Sequence, residues 1–138
     1  MAIDAVYLAD KSALSRLPHP AVAMRLGPLL EDGLVATCAI VDLEILYSAR
    51  GLSEYEAVVA ERRALDRLTL NEMTMDRAIE VQHELARVGQ HRVAIPDLII
   101  AAAAESAGLT VLHYDADFER IARRTGQRQE WVVPRGSI

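Results

Sequence analysis

Residues Ile95 to Asp115 read IPDLIIAAAAESAGLTVLHYD. Pro96 suits the first turn of a helix, and Asp97 beside it favours the positive end of the helix dipole. An alanine-rich helix is therefore expected from Pro96 and Asp97 until Gly108 stops it. Leu109 to Tyr114 then reads as a buried strand that ends at Asp115. A helix running straight into a continuous apolar strand is one step of a βα alternation, which builds a parallel sheet covered on both faces.

The same alternation extends in both directions. Upstream, Ala5 to Ala9 is a short apolar run ending at Asp10, and helices are expected over Ser12 to Leu17 and Pro20 to Glu31. Gly33 closes the second of these, and Leu34 to Ala39 reads as another buried strand. A helix from about Val41 to Ala49 is closed by Gly51. Ser53 with Glu56 resembles a capping box for a helix running towards Leu68, and Thr74 is the expected cap of a further helix ending before Gly89. Downstream, Phe118 to Thr125 is an expected helix, and Glu130 to Val133 a last short strand. The fold class is α/β, with a central parallel sheet of four or five strands between two helical layers, in one domain spanning 1–138.

Composition narrows the function. Of the 138 residues, 51% are hydrophobic and 25% charged, enough apolar material for one core. Twenty acids against fifteen bases leave a net charge of -5, which argues against a basic sleeve around nucleic acid. Cys38 is the only cysteine, so no internal disulfide forms, as expected for a reducing cytoplasm. Met1 to Asp10 lacks the pattern of a secretory signal, and Asp97 to Gly108 is too short and too interrupted to span a bilayer. A soluble cytoplasmic protein without a membrane partner is expected.

In open α/β sheets the working site lies beyond the carboxyl ends of the strands. Asp10 and Asp115 stand at two such ends, Glu44 lies inside Ile40-Val41-Asp42-Leu43-Glu44-Ile45-Leu46, and Asp97 opens the most apolar helix. Asp117 completes an Asp-x-Asp pair. Each acid also has a purely structural reading: Asp97 as a first-turn acid, Asp115 or Asp117 as an N-cap, Glu44 on an exposed helix edge, Asp10 as the cap of the helix after the first strand. As a set they repel one another unless a divalent cation lies between them, and oxygen-only donors favour Mg²⁺ or Mn²⁺ over zinc. Metal-assisted phosphoryl chemistry follows.

Four stretches carry a resemblance: Leu8-Ala9-Asp10-Lys11-Ser12-Ala13-Leu14, Val41 to Tyr47, Ile95 to Ala104, and Val111 to Phe118. In order and spacing the chain resembles the PIN-domain ribonucleases, and most of all the VapC toxins of bacterial toxin–antitoxin pairs. The resemblance implies a three-layer α/β/α fold and an endoribonuclease using one or two Mg²⁺ or Mn²⁺ ions. It implies Asp10, Asp97 and Asp115 as main ligands, Glu44 and Asp117 as direct or water-mediated ones, and Ser12 as a supporting hydroxyl. A water activated by the metal would attack the RNA phosphate in line, leaving a 3′-hydroxyl and a 5′-phosphate, with no protein nucleophile. It also implies a homodimer and a VapB-type antitoxin as partner. Lys11, Ser48 and His113 depart from the usual residues at their positions, but no acid is missing.

Lys11, Arg92 and Arg120 are the candidate RNA contacts, with Arg123 and Arg124 on the same helix as Arg120; ordinary charged faces are the competing explanation. The region Ser53 to Leu68, with Arg62, Arg63 and Arg67, is a candidate partner face. The four histidines are scattered and form no metal-spaced set, and only His113 falls near the site. The rival functions are a phosphatase built on Asp115 and Asp117, a receiver-like signalling domain and a catalytically silent PIN-like binding module. A phosphatase of that class wants a second acid two residues after the first-strand aspartate, where Ser12 stands. A receiver domain wants a late lysine, and Lys11 is the only one.

Overall fold

The computed structural model describes residues 3–138; the first two residues of the Met1–Asp10 segment lie outside them. The elements are β1 (Tyr7–Ala9), α1 (Lys11–Leu14), α2 (Pro20–Glu31), β2 (Val35–Thr37), α3 (Ala39–Tyr47), α4 (Leu52–Arg63), β3 (Asp66–Arg67), α5 (Glu72–Ala86), α6 (Ile95–Ala107), β4 (Thr110–His113), α7 (Asp117–Thr125) and β5 (Gln129–Trp131). The strands form one sheet in the order β3-β2-β1-β4-β5, and every pairing is parallel. Helices cover it in a three-layer α/β/α arrangement.

The chain places β1 at the centre, with Leu8 opposite Ala36 of β2 and Val111 of β4. All of these side chains are buried, as parallel strands covered on both faces require. Against β1 and β4 lies α6, whose residues Asp97 to Ala104 are all buried. Four consecutive alanines in that stretch keep the helix surface small at the contact. Gly108 ends α6 at φ 71°, a left-handed position that costs a residue with a Cβ and that turns the chain into β4.

Four expectations are corrected. The helix from Ser53 towards Leu68 stops at Arg63, and Asp66–Arg67 form the edge strand β3, paired with Ala36 and Thr37. Both of its residues are exposed and polar, so no apolar run announces it. Ser53 is not a cap: Gly51 is the N-cap of α4, without a side-chain bond, and Glu54 takes the backbone N–H of Arg50 instead. Thr74 is the N3 residue of a capping box whose N-cap is Asn71, the two exchanging side-chain and backbone bonds at 3.0 and 3.4 Å. Cys38 lies just past β2 as the N-cap of α3, buried, with its thiol pushed up by desolvation. Boundaries elsewhere move by one to three residues: α1, expected over Ser12 to Leu17, is Lys11–Leu14, and β5, expected over Glu130 to Val133, is Gln129–Trp131.

Candidate metal centre

At the carboxyl ends of β1 and β4 the chain places Asp10 and, two residues after His113, Asp115. Asp10 is 3% exposed; its Oδ2 accepts the Ser12 N–H at 3.0 Å and so caps α1, while Oδ1 is buried without a partner. The capping reading of Asp10 is met by Oδ2, which leaves Oδ1 over as a candidate ligand atom. Asp97 enters from the first turn of α6, 4% exposed, with Oδ2 buried and unpartnered. Glu44 arrives from α3, half-buried, and its Oε1 is likewise orphaned. These three atoms are the buried side-chain oxygens or nitrogens lacking a hydrogen-bond partner among the described residues.

Asp97, Asp115 and Asp117 each offer an oxygen within 4.8 Å of the others. Asp115 Oδ1 accepts the Asp117 N–H at 2.9 Å, which folds the Asp-x-Asp turn back on itself. Both oxygens of Asp117 are engaged: Oδ2 accepts from the Ala94 N–H at 3.0 Å, and Oδ1 from Arg120 at 2.7 Å. Asp117 therefore ties the start of α6 to the start of α7, which makes it a different kind of member from the orphaned acids. Asp10 and Glu44 join the group through the field: the charge of Asp10 raises both Asp97 and Glu44.

The electrostatic consequence is concentrated on Asp97. Burial first, then the charges of Asp10, Asp115 and Asp117, push its carboxyl up to about 9. Glu44 is raised by desolvation and by Asp10 and Asp115, with Lys11 opposing. A carboxyl that keeps its proton so far above its ordinary range lacks a cation. Orphaned oxygens converging from β1, α3 and α6, with no sulfur or imidazole among them, form a donor set that fits a hard divalent ion such as Mg²⁺ or Mn²⁺. A cation there removes the repulsion and satisfies the orphan oxygens together.

Ser12 and His113 hold this edge in place. The Ser12 hydroxyl accepts the Tyr114 N–H at 2.8 Å, so its side chain pins the end of β4 to α1, while its backbone N–H serves Asp10. His113 is fully buried; Nδ1 accepts the Asp115 N–H at 3.1 Å and Nε2 lies 2.6 Å from Gln129 Oε1. That pair of bonds requires a neutral ring protonated on Nε2, and burial lowers the affinity of His113 for a second proton.

Of the candidate cations, Lys11 is half-buried at the mouth of the site and Arg92 is exposed. Arg120 is paired with Asp117, Arg123 with Glu119 and Arg124 with Glu84. Arg62, placed on the candidate partner face, is instead buried: with Arg67 it binds Asp42, and Thr37 Oγ1 completes the group at 2.7 Å from Asp42. Reading the sequence missed Asp42 altogether, although an aspartate between Val41 and Leu43 in an apolar helix is itself the signal.

The model of the PIN domain family matches residues 7–124, a span that contains every one of these acids. The chain belongs to the PIN domain family. Among its relatives, a protein named Ribonuclease VapC21 from Mycobacterium tuberculosis is 50% identical over 133 residues, covering 95% of this chain and 96% of its own. Ribonuclease VapC51 from the same organism is 46% identical over 132 residues, 96% of each chain. Among solved structures, a chain of VapBC2 from Rickettsia felis bound to a promoter DNA fragment superposes with a TM-score of 0.72 at 17% identity, covering 90% of this chain and 96% of that one. DNA-bound VapBC from Salmonella typhimurium gives 0.71 at 20% identity, with 94% and 99% covered. These likenesses carry the PIN fold, and in this PIN domain the acid cluster lies where the fold gathers its strand ends.

Proposed function

We propose that residues 1–138 act as a single PIN domain, a Mg²⁺- or Mn²⁺-dependent endoribonuclease toxin that cleaves cellular RNA and is neutralised by a cognate VapB-type antitoxin. The observation that carries the reading is the trio of buried, unpartnered oxygens on Asp10, Glu44 and Asp97 at one sheet edge, beside Asp115 and Asp117. The VapC ribonuclease names of relatives at 46% and 50% identity support the activity, and the VapBC complexes support the antitoxin.

In this reading Asp10, Glu44, Asp97 and Asp115 hold one or two ions, with Asp117 contributing directly or through water. A divalent ion held there would supply Lewis acidity towards the scissile phosphate and lower the pKa of a water for in-line attack. Asp97 gives up its proton when the site loads, so loading releases protons and strengthens as pH rises. Ser12 and His113 keep Asp10 and Asp115 at a fixed separation. Lys11, Arg92 and Arg120 take phosphates along the rim, Arg120 by leaving Asp117. The protein works as a homodimer in the cytoplasm, on transfer, ribosomal or messenger RNA. Among the described residues no helix is long and apolar enough to cross a membrane, and no membrane partner is invoked.

The test is cleavage of RNA by the purified, antitoxin-free protein with Mg²⁺ or Mn²⁺ and with EDTA, beside Asp10→Asn and Asp97→Asn. Metal-dependent cleavage by the wild type alone, leaving 5′-phosphates, is expected. Equal degradation by all three proteins, or none by the wild type with either metal, refutes the reading.

A further inference from the structure

We propose that Tyr47, over a floor of Ile40 and Leu43 and beside Lys11, is a stacking subsite for a single-stranded nucleobase next to the phosphate held at the acid cluster. The proposal rests on the ribonuclease reading and adds to it where the substrate strand leaves the site and what grips it. Ile40, Leu43, Glu44 and Tyr47 follow the three- and four-residue spacing that puts side chains on one face of α3. With Lys11 and Pro96 they line an open cavity of about 450 Å³. That volume falls in the range of about 300–1,000 Å³ in which small planar ligands are held.

Three features of this cavity select a nucleotide. Tyr47 is 89% exposed and Leu43 59%, so neither serves the core, and both stand beside the acid site. Lys11 is half-buried, and no carboxylate lies within 4.0 Å of it among the described ion pairs, which include ten of the chain's arginines. Glu44, whose Oε1 is one of the orphaned oxygens of the candidate metal centre, also lines the cavity. The cavity therefore brings together a carboxylate of the acid cluster, an ammonium outside any ion pair and an exposed aromatic ring. A nucleotide matches all three, with its phosphate on Lys11 and its base on Tyr47. An apolar peptide face would cover Leu43 and Tyr47 but offer Lys11 no counter-charge, whereas every nucleotide carries one.

The experiment uses a short single-stranded RNA carrying 2-aminopurine, titrated by fluorescence against Asp97→Asn protein, with Tyr47→Ala, Tyr47→Phe and Lys11→Ala each added to that background. Tyr47→Ala is expected to weaken binding by about 5- to 150-fold, Tyr47→Phe to retain it, and only Tyr47→Ala to abolish the quenching that stacking produces. Lys11→Ala is expected to lower the slope of log affinity against log salt by about 0.7, whereas Tyr47→Ala leaves that slope unchanged. In the otherwise wild-type chain, Tyr47→Ala is expected to raise KM far more than it lowers kcat and to leave the Mg²⁺-induced thermal shift intact. Undiminished RNA binding by Tyr47→Ala, a Tyr47→Phe as weak as Tyr47→Ala, or a Tyr47→Ala defect confined to binding of a protein partner overturns the proposal. Failure of the ribonuclease reading is distinct: the wild type then cleaves nothing with metal, while the oligonucleotide titration still reports whether Tyr47 stacks a base.

Discussion

Two buried acidic regions lie on the same helix and behave in opposite ways. Asp42 and Glu44 are two residues apart on α3, on different faces. Asp42 is buried with a full set of partners: Thr37, Arg62 and Arg67. Desolvation alone would raise its carboxyl, but the hydrogen bonds from Arg62, Thr37 and Arg67 outweigh that and hold it below its ordinary value. Glu44 turns to Asp10 and Asp115, where burial and like charge act in the same direction and raise it against the opposing charge of Lys11. One region spends its buried charge on joining α3, α4 and β3. The other holds charge that the protein alone leaves uncompensated. The difference separates acids committed to structure from candidate metal ligands better than burial does, since Asp10, Asp42 and Asp97 are all nearly inaccessible.

The largest effect that tests this contrast is Asp97→Asn. RNA cleavage is expected to fall by about 100-fold or more, since a divalent ion is worth several kcal/mol to the transition state. The metal-free melting temperature should nevertheless rise, because an amide removes a carboxyl that is raised by its surroundings. A fall in metal-free stability would break the comparison. Arg62→Ala is the reverse case: a loss of about 3 kcal/mol in urea unfolding, from leaving buried Asp42 with only Thr37 and half-exposed Arg67, and with the Mg²⁺-induced thermal shift of the folded fraction retained.

The pH dependence of the metal-free protein carries the same contrast at smaller scale. Asp97 and Glu44 have folded values above their unfolded ones, so their contribution is full below about pH 4 and is lost as pH rises, for Asp97 up to about 9. Asp42, lowered in the folded state, contributes above its ordinary value of 3.8 and loses that contribution as pH falls through its folded value. Melting temperature in EDTA is expected to climb as pH drops from 9 towards 4 and to fall below that, and saturating Mg²⁺ should flatten the alkaline limb. A metal-free protein most stable at pH 9 would contradict the account. The smallest expected change is Arg67→Ala, about 1 kcal/mol by the same unfolding measurement, because half-exposed Arg67 shares Asp42 with a better buried partner.

The acid cluster was legible in the sequence because each member interrupts a pattern: Asp10 and Asp115 end apolar runs, Glu44 sits among aliphatics, and Asp97 follows a helix-opening proline. The central strands were legible for the same reason. What stayed hidden depends on partners far along the chain. Asp42 finds Arg62 and Arg67 at separations of 20 and 25 residues, and Ser12 finds Tyr114 at 102. The edge strand β3 carries no apolar signal, since both its residues are polar and it is held by backbone pairing to β2 and by the Arg67–Asp42 pair. The misplaced caps at Ser53 and Thr74 show a nearer limit. Short polar residues near a helix start all look alike until the backbone shows which of them has non-helical dihedrals.

Lys11 has one further consequence. As the chain's only lysine it carries the single side-chain amine of the protein, and it lines the same cavity as Glu44 and Tyr47. Amine-directed chemistry, apart from the α-amino group, is thereby addressed to one spot at the mouth of the site. A fluorophore or crosslinker placed there would report on what enters, with no residue replaced.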